Sequence, residues 1–242
     1  MVNIEDLLKT QGRIHVFGYG SLTWKPDFEY DNLFLGYIKG YERRFWQGST
    51  HHRGTVEKPG RVLTLTKVDE GRCWGIVFEI IGRDKIRKAI DYLQLREQSL
   101  GCYDISIMPV YPQKNGDKKE PVYSIVYYAT PKNVLYLGQN SLDVLADDIA
   151  TSCGVVGHNI EYLFRLSDFM RECLPDEKDD HLFTLDKLVR ARIGLCTSNT
   201  LPWKTLMECK NFRELILNNK TKEFELEVNE GQTSSTALTA LV

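Results

Sequence analysis

The feature that most constrains the fold is the order of the hydrophobic patterns, because strand-like runs come first and helical spacing comes afterwards. Strand patterns occur at 13–17, 61–65, 73–81, 105–110 and 123–129, with one helical pattern among them at 84–97. Apolar residues spaced three and four apart then predict helices over 142–153, 160–174 and 181–193, the last ending at Gly194. Strands followed by helices favour an α+β fold over an alternating parallel sheet.

The length of 242 residues suits one domain with a substantial core. We expect this domain to span 13–220, with a short lead at 1–12, a further helix near 201–217 and a polar tail at 221–242. Apolar residues make up 42% and charged residues 26%, as in soluble globular proteins. The sequence leaves open whether the chain is a monomer or a homodimer.

Charge and hydropathy argue against nucleic acid and membrane as partners. The net charge is −2, whereas nucleic-acid binding usually needs a basic excess. The apolar runs are a handful of residues long, far from the ~20 that span a bilayer. Residues 1–10 carry charges and do not resemble a signal peptide, so we expect a cytoplasmic protein. The six cysteines form no C-x-x-C pair, and we expect reduced core thiols.

A glycine turn, Gly18-Tyr19-Gly20-Ser21, follows the first strand. Successive amide N–H groups around glycines can bind an anion, although such a turn more often just ends a strand. The turn lacks the third glycine of a dinucleotide site and the Gly-Lys-Ser/Thr of a Walker loop. Ser21 also lies outside the G-x-S-x-G pattern of serine hydrolases.

Glu97 is the candidate for acid–base chemistry. Ile86, Ile90 and Leu93 are spaced four and three apart, and Glu97 follows four residues later on the same helical stripe. Arg96 is expected about 100° off that stripe. Burial and the helix C-terminus both raise the pKa of a carboxylate, which makes it a better proton acceptor near neutral pH. If the helix ends earlier, Glu97 points to water instead.

Residues 39–67 hold seven Lys or Arg and two Glu. This excess suits a small substrate that bears carboxylates, although a solvated charged face is the common alternative. His51 and His52 are adjacent and would point to opposite faces of a strand. The remaining histidines have no ligand spacing, so we expect no metal site.

Several segments together resemble the ChaC-type γ-glutamylcyclotransferases, over about residues 14–193. The turn with its flanks, Val16 to Leu22, is the first of them. The others are Arg43 to Thr50, His52-Arg53-Gly54, Lys58 to Val62, Arg96-Glu97 with Gly101 and Tyr103, and Asn159 with Glu161 to Phe164.

The resemblance implies a compact mixed β-barrel with surrounding helices and a lyase that cleaves glutathione to 5-oxoproline and cysteinylglycine without a cofactor. It implies that Glu97 is the general base. The segment Val16, Phe17, Gly18, Tyr19, Gly20 and Ser21 would bind the γ-glutamyl group, and Tyr103 and Tyr162 would line the pocket. Two alternatives are a cyclotransferase for other γ-glutamyl compounds and a non-catalytic partner-binding protein that retains the pocket.

Overall fold

The computed structural model describes residues 12–113 and 120–194. Five strands form a closed barrel in the order β1-β3-β2-β4-β5. Their bounds are β1 Arg13–Gly18, β2 Asn32–Ser49, β3 Gly60–Ile81, β4 Asp104–Pro112 and β5 Val122–Tyr128. The barrel closes where β5 runs parallel to β1, with Ile125 opposite Val16. The expected mixed barrel is therefore confirmed.

Helices surround the barrel: α1 at Arg83–Leu93, α2 at Leu142–Thr151, α3 at Asn159–Cys173 and α4 at Asp180–Arg192. A short hairpin, β6 Cys153–Gly154 and β7 Gly157–His158, precedes α3. Ser141 caps α2 by accepting from the Val144 N–H, and Asp179 caps α4 by accepting from the Leu182 N–H. Gly194 has a φ of +70°, which fits its predicted role of ending the last helix.

The strand β3 is longer than the sequence pattern predicts. The runs at 61–65 and 73–81 were expected to be separate strands, but they are two parts of β3, which is 22 residues long. Register shifts between Lys39 and Tyr41 and between Arg44 and Gln47 let β2 bend with its partner. Gly75 permits the close approach of β1, because a Cβ there would lie 2.3 Å from the Gly18 carbonyl oxygen.

The predicted helix at 84–97 is α-helical only to Leu93, and a π-helical segment follows at Gln94–Ser99. The helix predicted to end at Cys153 ends at Thr151, because Cys153 starts the hairpin. The helix near 201–217, the lead and the tail lie outside the described residues, so the division at 13–220 stays a prediction. Within the described ranges, no helix is both long and apolar enough to cross a bilayer.

Candidate active site

A cavity of about 260 Å³ lies between the glycine turn, the π-helical segment and the start of α3. It brings together residues far apart in the chain, and eight of the nine predicted site residues line it: Phe17, Gly18, Tyr19, Gly20, Ser21, Glu97, Tyr103 and Tyr162. The residues expected from the sequence to share one site therefore do lie around one cavity. Their individual roles remain predictions.

Val16 is the exception. Its side chain is fully buried, and its backbone pairs with Phe78 on one side and Ile125 on the other. It belongs to the barrel closure and is not among the residues that line the cavity. The structure therefore gives Val16 a place in the barrel wall, and the prediction that it contacts substrate stays a prediction.

The glycine turn leads directly into a single 3-10 turn at Ser21–Thr23. The Gly20 carbonyl accepts from the Thr23 N–H and the Ser21 carbonyl accepts from the Lys25 N–H, both at 2.9 Å. The N–H groups of Gly20 and Ser21 themselves have no backbone acceptor within the described residues. Both residues line the cavity, so their amide N–H groups are candidates to bind an anionic oxygen.

Gly20 is required by the close approach of Tyr162. A Cβ at Gly20 would lie 2.7 Å from the Tyr162 hydroxyl oxygen, closer than real Cβ contacts. The Tyr162 ring is confined edge-to-face by Trp24 at 5.2 Å and by Phe45 at 6.0 Å between ring centroids. The side chains of α3 and β2 therefore determine which residue the turn can carry.

Glu97 lies in the cavity wall with its side chain 12% exposed. Burial raises the pKa of this carboxyl, and the positive charge of Arg96 opposes that rise. Its Oε1 lies 3.0 Å from Arg96 Nε. That N–H is not aligned to donate, so Oε1 is a buried acceptor without a hydrogen-bond donor among the described residues. A carboxylate with an unused acceptor and a raised pKa is suited to taking a proton.

Arg96 is the functional candidate that sequence reasoning missed. Its Nη2 donates to Ser21 Oγ at 2.8 Å, and its Nη1 donates to the Lys25 carbonyl at 2.6 Å. Together with the contact to Glu97, these bonds connect the glycine turn to the acid. The bond to Ser21 spans 75 residues, so no local pattern could have shown it. The only sequence signal was its place beside Glu97.

Five tyrosines line the cavity: Tyr19, Tyr92, Tyr103, Tyr127 and Tyr162. Burial is the largest cause that raises the pKa of each phenol, so all five stay protonated at neutral pH. Tyr103 donates to the Leu63 carbonyl at 2.6 Å, and Tyr19 donates to the Tyr127 carbonyl at 2.9 Å. The Tyr19 and Tyr103 hydroxyls are thus committed to the barrel, whereas the raised pKa of Glu97 in the same wall suits this carboxyl to proton transfer.

The basic stretch is used mainly for structure. Arg43 is buried, lies 2.8 Å from Asp179 and donates to the Tyr19 carbonyl, so it supports the glycine turn from behind. Arg61 pairs with Asp148, and Arg53 pairs with Glu161 at 2.7 Å. Of the basic residues between 39 and 67, Arg53 alone lines the cavity, with His52 beside it. Most of the stretch therefore forms structural ion pairs, and its expected role toward substrate carboxylates stays a prediction for Arg53.

The histidine pair lies in the loop between β2 and β3 and not on a strand, so its side chains do not point to opposite faces of a sheet. The two rings lie edge-to-face with centroids 5.2 Å apart. Burial, followed by the charge of His51 and nearby cations, lowers the pKa of His52. Across 12–113 and 120–194, no three His, Cys, Asp or Glu side chains are grouped as metal ligands.

Comparisons with known proteins agree with this geometry. The family model described as ChaC-like protein matches residues 14–192. Glutathione-specific gamma-glutamylcyclotransferase 1 of Danio rerio is 44% identical over 189 residues, which cover 78% of this chain and 95% of that protein. The protein of the same name from Homo sapiens is 46% identical over 167 residues, which cover 69% and 74%.

The fold has a solved counterpart. The crystal structure of a yeast gamma-glutamylcyclotransferase specific to glutathione superposes with a TM-score of 0.68 at 29% identity, covering 75% of this chain and 97% of that one. Apart from Arg13 at the start of β1, the family match includes the described barrel strands, the glycine turn, Glu97 and the helices α1 to α4. This chain is therefore a member of the ChaC-like protein family.

Proposed function

We propose that this protein is a glutathione-specific γ-glutamylcyclotransferase, a lyase that converts glutathione to 5-oxoproline and cysteinylglycine. The observation that carries the proposal is the buried Glu97 carboxylate in the wall of a cavity whose other side is the glycine turn. The names of the relatives from Danio rerio, Homo sapiens and yeast support the same substrate.

The reaction needs no second reactant. The α-amine of the γ-glutamyl group attacks its own γ-carbonyl carbon, a five-membered ring closes, and the bond to the cysteine nitrogen breaks. Holding the two groups in attacking geometry provides effective molarities of about 10⁵ M or more. The shape of the cavity therefore contributes to the rate by selecting a folded conformation of the γ-glutamyl chain.

Glu97 moves the proton. After the substrate ammonium has lost its first proton to solvent, the amine attacks and its nitrogen becomes positively charged. Glu97 takes a proton from that nitrogen and donates it to the departing cysteine nitrogen, so the carboxylate is regenerated. General acid–base catalysis of this kind contributes about 10²–10⁴-fold. The Gly20 and Ser21 amides hold an anionic oxygen, either the substrate carboxylate or the developing oxyanion, and one oxyanion donor is typically worth about 3–4 kcal/mol.

The four cysteines in the described residues are free thiols, namely Cys73, Cys102, Cys153 and Cys173. Free thiols suit a compartment where glutathione keeps cysteines reduced, so we place the reaction in the cytoplasm. Fractionation of cells that carry the tagged full chain tests this placement. Recovery of the protein in an oxidising compartment would contradict it.

The test of the function is a product assay on the full chain. Glutathione is incubated with the protein, and 5-oxoproline and cysteinylglycine are both measured, since cyclotransfer releases them in equal amounts. A γ-glutamyl amino acid and a γ-glutamylamine serve as competing substrates. Release from glutathione far above release from either competitor supports the proposal. Preference for a competitor supports the broader cyclotransferase, and no release from any of the three supports a binding protein.

A further inference from the structure

Three exposed apolar side chains surround the cavity, and we call Leu95, Leu100 and Val156 the apolar rim. Leu95 is 59% exposed, Leu100 39% and Val156 43%, and all three line the same cavity as Glu97. Single exposed apolar residues are ordinary on protein surfaces. Three around one opening indicate that the opening contacts an apolar part of the substrate.

The rim lies next to the reacting group. Leu95 precedes Glu97 by two residues in the π-helical segment, and Leu100 follows that segment directly. Val156 reaches the opening from the hairpin between β6 and β7, where its N–H donates to the His52 carbonyl at 3.2 Å. One extended residue spans about 3.5 Å. A residue bonded to the carbonyl that reacts beside Glu97 therefore comes within reach of the rim.

Three polar side chains of the cavity wall are already paired. Tyr103 and Tyr19 donate to backbone carbonyls, and Arg53 is paired with Glu161. No cysteine or methionine of the described residues lines the cavity. A thiol is only a weak hydrogen-bond donor and acceptor, so a sulfhydryl beside the rim behaves as a small apolar group.

We infer that the apolar rim receives the side chain of the residue after the γ-glutamyl group, and that it recognises small size and apolarity instead of the sulfur atom. This inference rests on the proposed function. It extends the substrate class to γ-glutamyl tripeptides in which a methyl group replaces the thiol. The same bonds form and break, so γ-glutamyl-2-aminobutyryl-glycine gives 5-oxoproline and 2-aminobutyryl-glycine.

The experiment compares three tripeptides with the full chain, with cysteine, 2-aminobutyrate or serine as the middle residue. The readout is kcat/KM for 5-oxoproline release. We expect the aminobutyryl peptide within about threefold of glutathione and the seryl peptide about tenfold below it, because a hydroxyl loses hydrogen bonds to water beside apolar side chains. If the aminobutyryl peptide is as slow as the seryl peptide, the inference is overturned. The proposed function still stands in that case, provided that glutathione itself is cleaved. Failure to cleave glutathione would instead refute the proposed function.

A pair of variants separates recognition from structure. Val156→Thr keeps the shape and adds a hydroxyl to the rim, so the seryl peptide should gain severalfold relative to the aminobutyryl peptide. Val134→Thr makes the same change at a residue that is 88% exposed and does not line the cavity, and it should leave this ratio unchanged. If Val156→Thr changes both rates by the same factor, the rim does not contact this side chain.

Discussion

The contact between Gly20 and Tyr162 gives a sharp test of how the site is built. In the variant Gly20→Ala, the new Cβ lies 2.7 Å from the Tyr162 hydroxyl oxygen, 3.5 Å from a Leu63 methyl carbon and 3.8 Å from Tyr162 Cζ. Only the hydroxyl contact is impossible without movement. Tyr162 is 6% exposed and confined by Trp24 and Phe45, so either the ring or the glycine turn must shift.

The magnitude follows from two opposing effects. Overpacking of a buried site costs about 1–3 kcal/mol. The alanine also restricts the unfolded chain, an effect that offsets at most about 0.4–1 kcal/mol of this cost. We expect Gly20→Ala to lower the free energy of unfolding by about 1–2 kcal/mol. Turnover should fall as well, because the turn amides move.

Urea unfolding of Gly20→Ala, Tyr162→Phe and the double variant shows whether the hydroxyl contact causes the loss of stability. Tyr162→Phe removes the clashing oxygen and loses a hydrogen bond with the Leu63 backbone, at a cost of about 1 kcal/mol. In the double variant the clash is absent, so Gly20→Ala should then cost nothing, and the coupling between the two changes should exceed about 1 kcal/mol. Strictly additive effects, or a Gly20→Ala protein as stable as the wild type, would refute this explanation of the glycine.

Three further predictions concern charged and titratable side chains. Arg96→Met should move the acid limb of the kcat/KM profile for 5-oxoproline release to higher pH, because the cation that lowers the pKa of Glu97 is gone, whereas Arg96→Lys should move it less. The Nε2 of His181 accepts from the Phe45 N–H, and burial lowers the pKa of His181 from 6.5 to about 4. Neutral His181 therefore stabilises the fold above pH 6.5, and about 2 kcal/mol of this stabilisation is lost when the pH falls to 5. Urea midpoints at pH 7 and pH 5 should therefore differ more for the wild type than for His181→Gln, and equal differences would contradict the assignment. Arg43→Met should cost about 3–5 kcal/mol of unfolding free energy, because Asp179 loses its cationic partner and the Tyr19 carbonyl loses a donor. Adding Asp179→Asn removes the unpaired charge and keeps an oxygen for the cap of α4, so urea unfolding of the double variant should show part of the loss recovered.

The spacing of apolar residues was sufficient to locate elements that pack one face against the core along their whole length. The run at 105–110 lies within β4, the run at 123–129 extends one residue past β5, and three- and four-residue spacing located α2, α3 and α4. It was insufficient for β3, because the middle of this strand is polar and exposed where Lys67 and Arg72 pair with β2 at its bend. A strand that leaves the core and returns has no continuous alternation to detect.

In the candidate site, too, the sequence predicted local features and missed contacts between distant segments. The spacing from Leu93 to Glu97 predicted burial of the acid, and the acid is buried, although through a π-helical segment that the spacing did not indicate. The Arg96 contact with Ser21 and the Tyr162 contact with Gly20 join elements far apart in sequence. Such contacts depend on barrel closure, which short-range patterns do not contain.

The most direct test of the central claim is glutathione turnover by Glu97→Gln, a variant that keeps the shape of the side chain and removes the base. The account predicts that the variant still binds glutathione in calorimetry and releases 5-oxoproline at least about 10²-fold more slowly than the wild type. Release at close to the wild-type rate would contradict the assignment of Glu97 as the group that moves the proton.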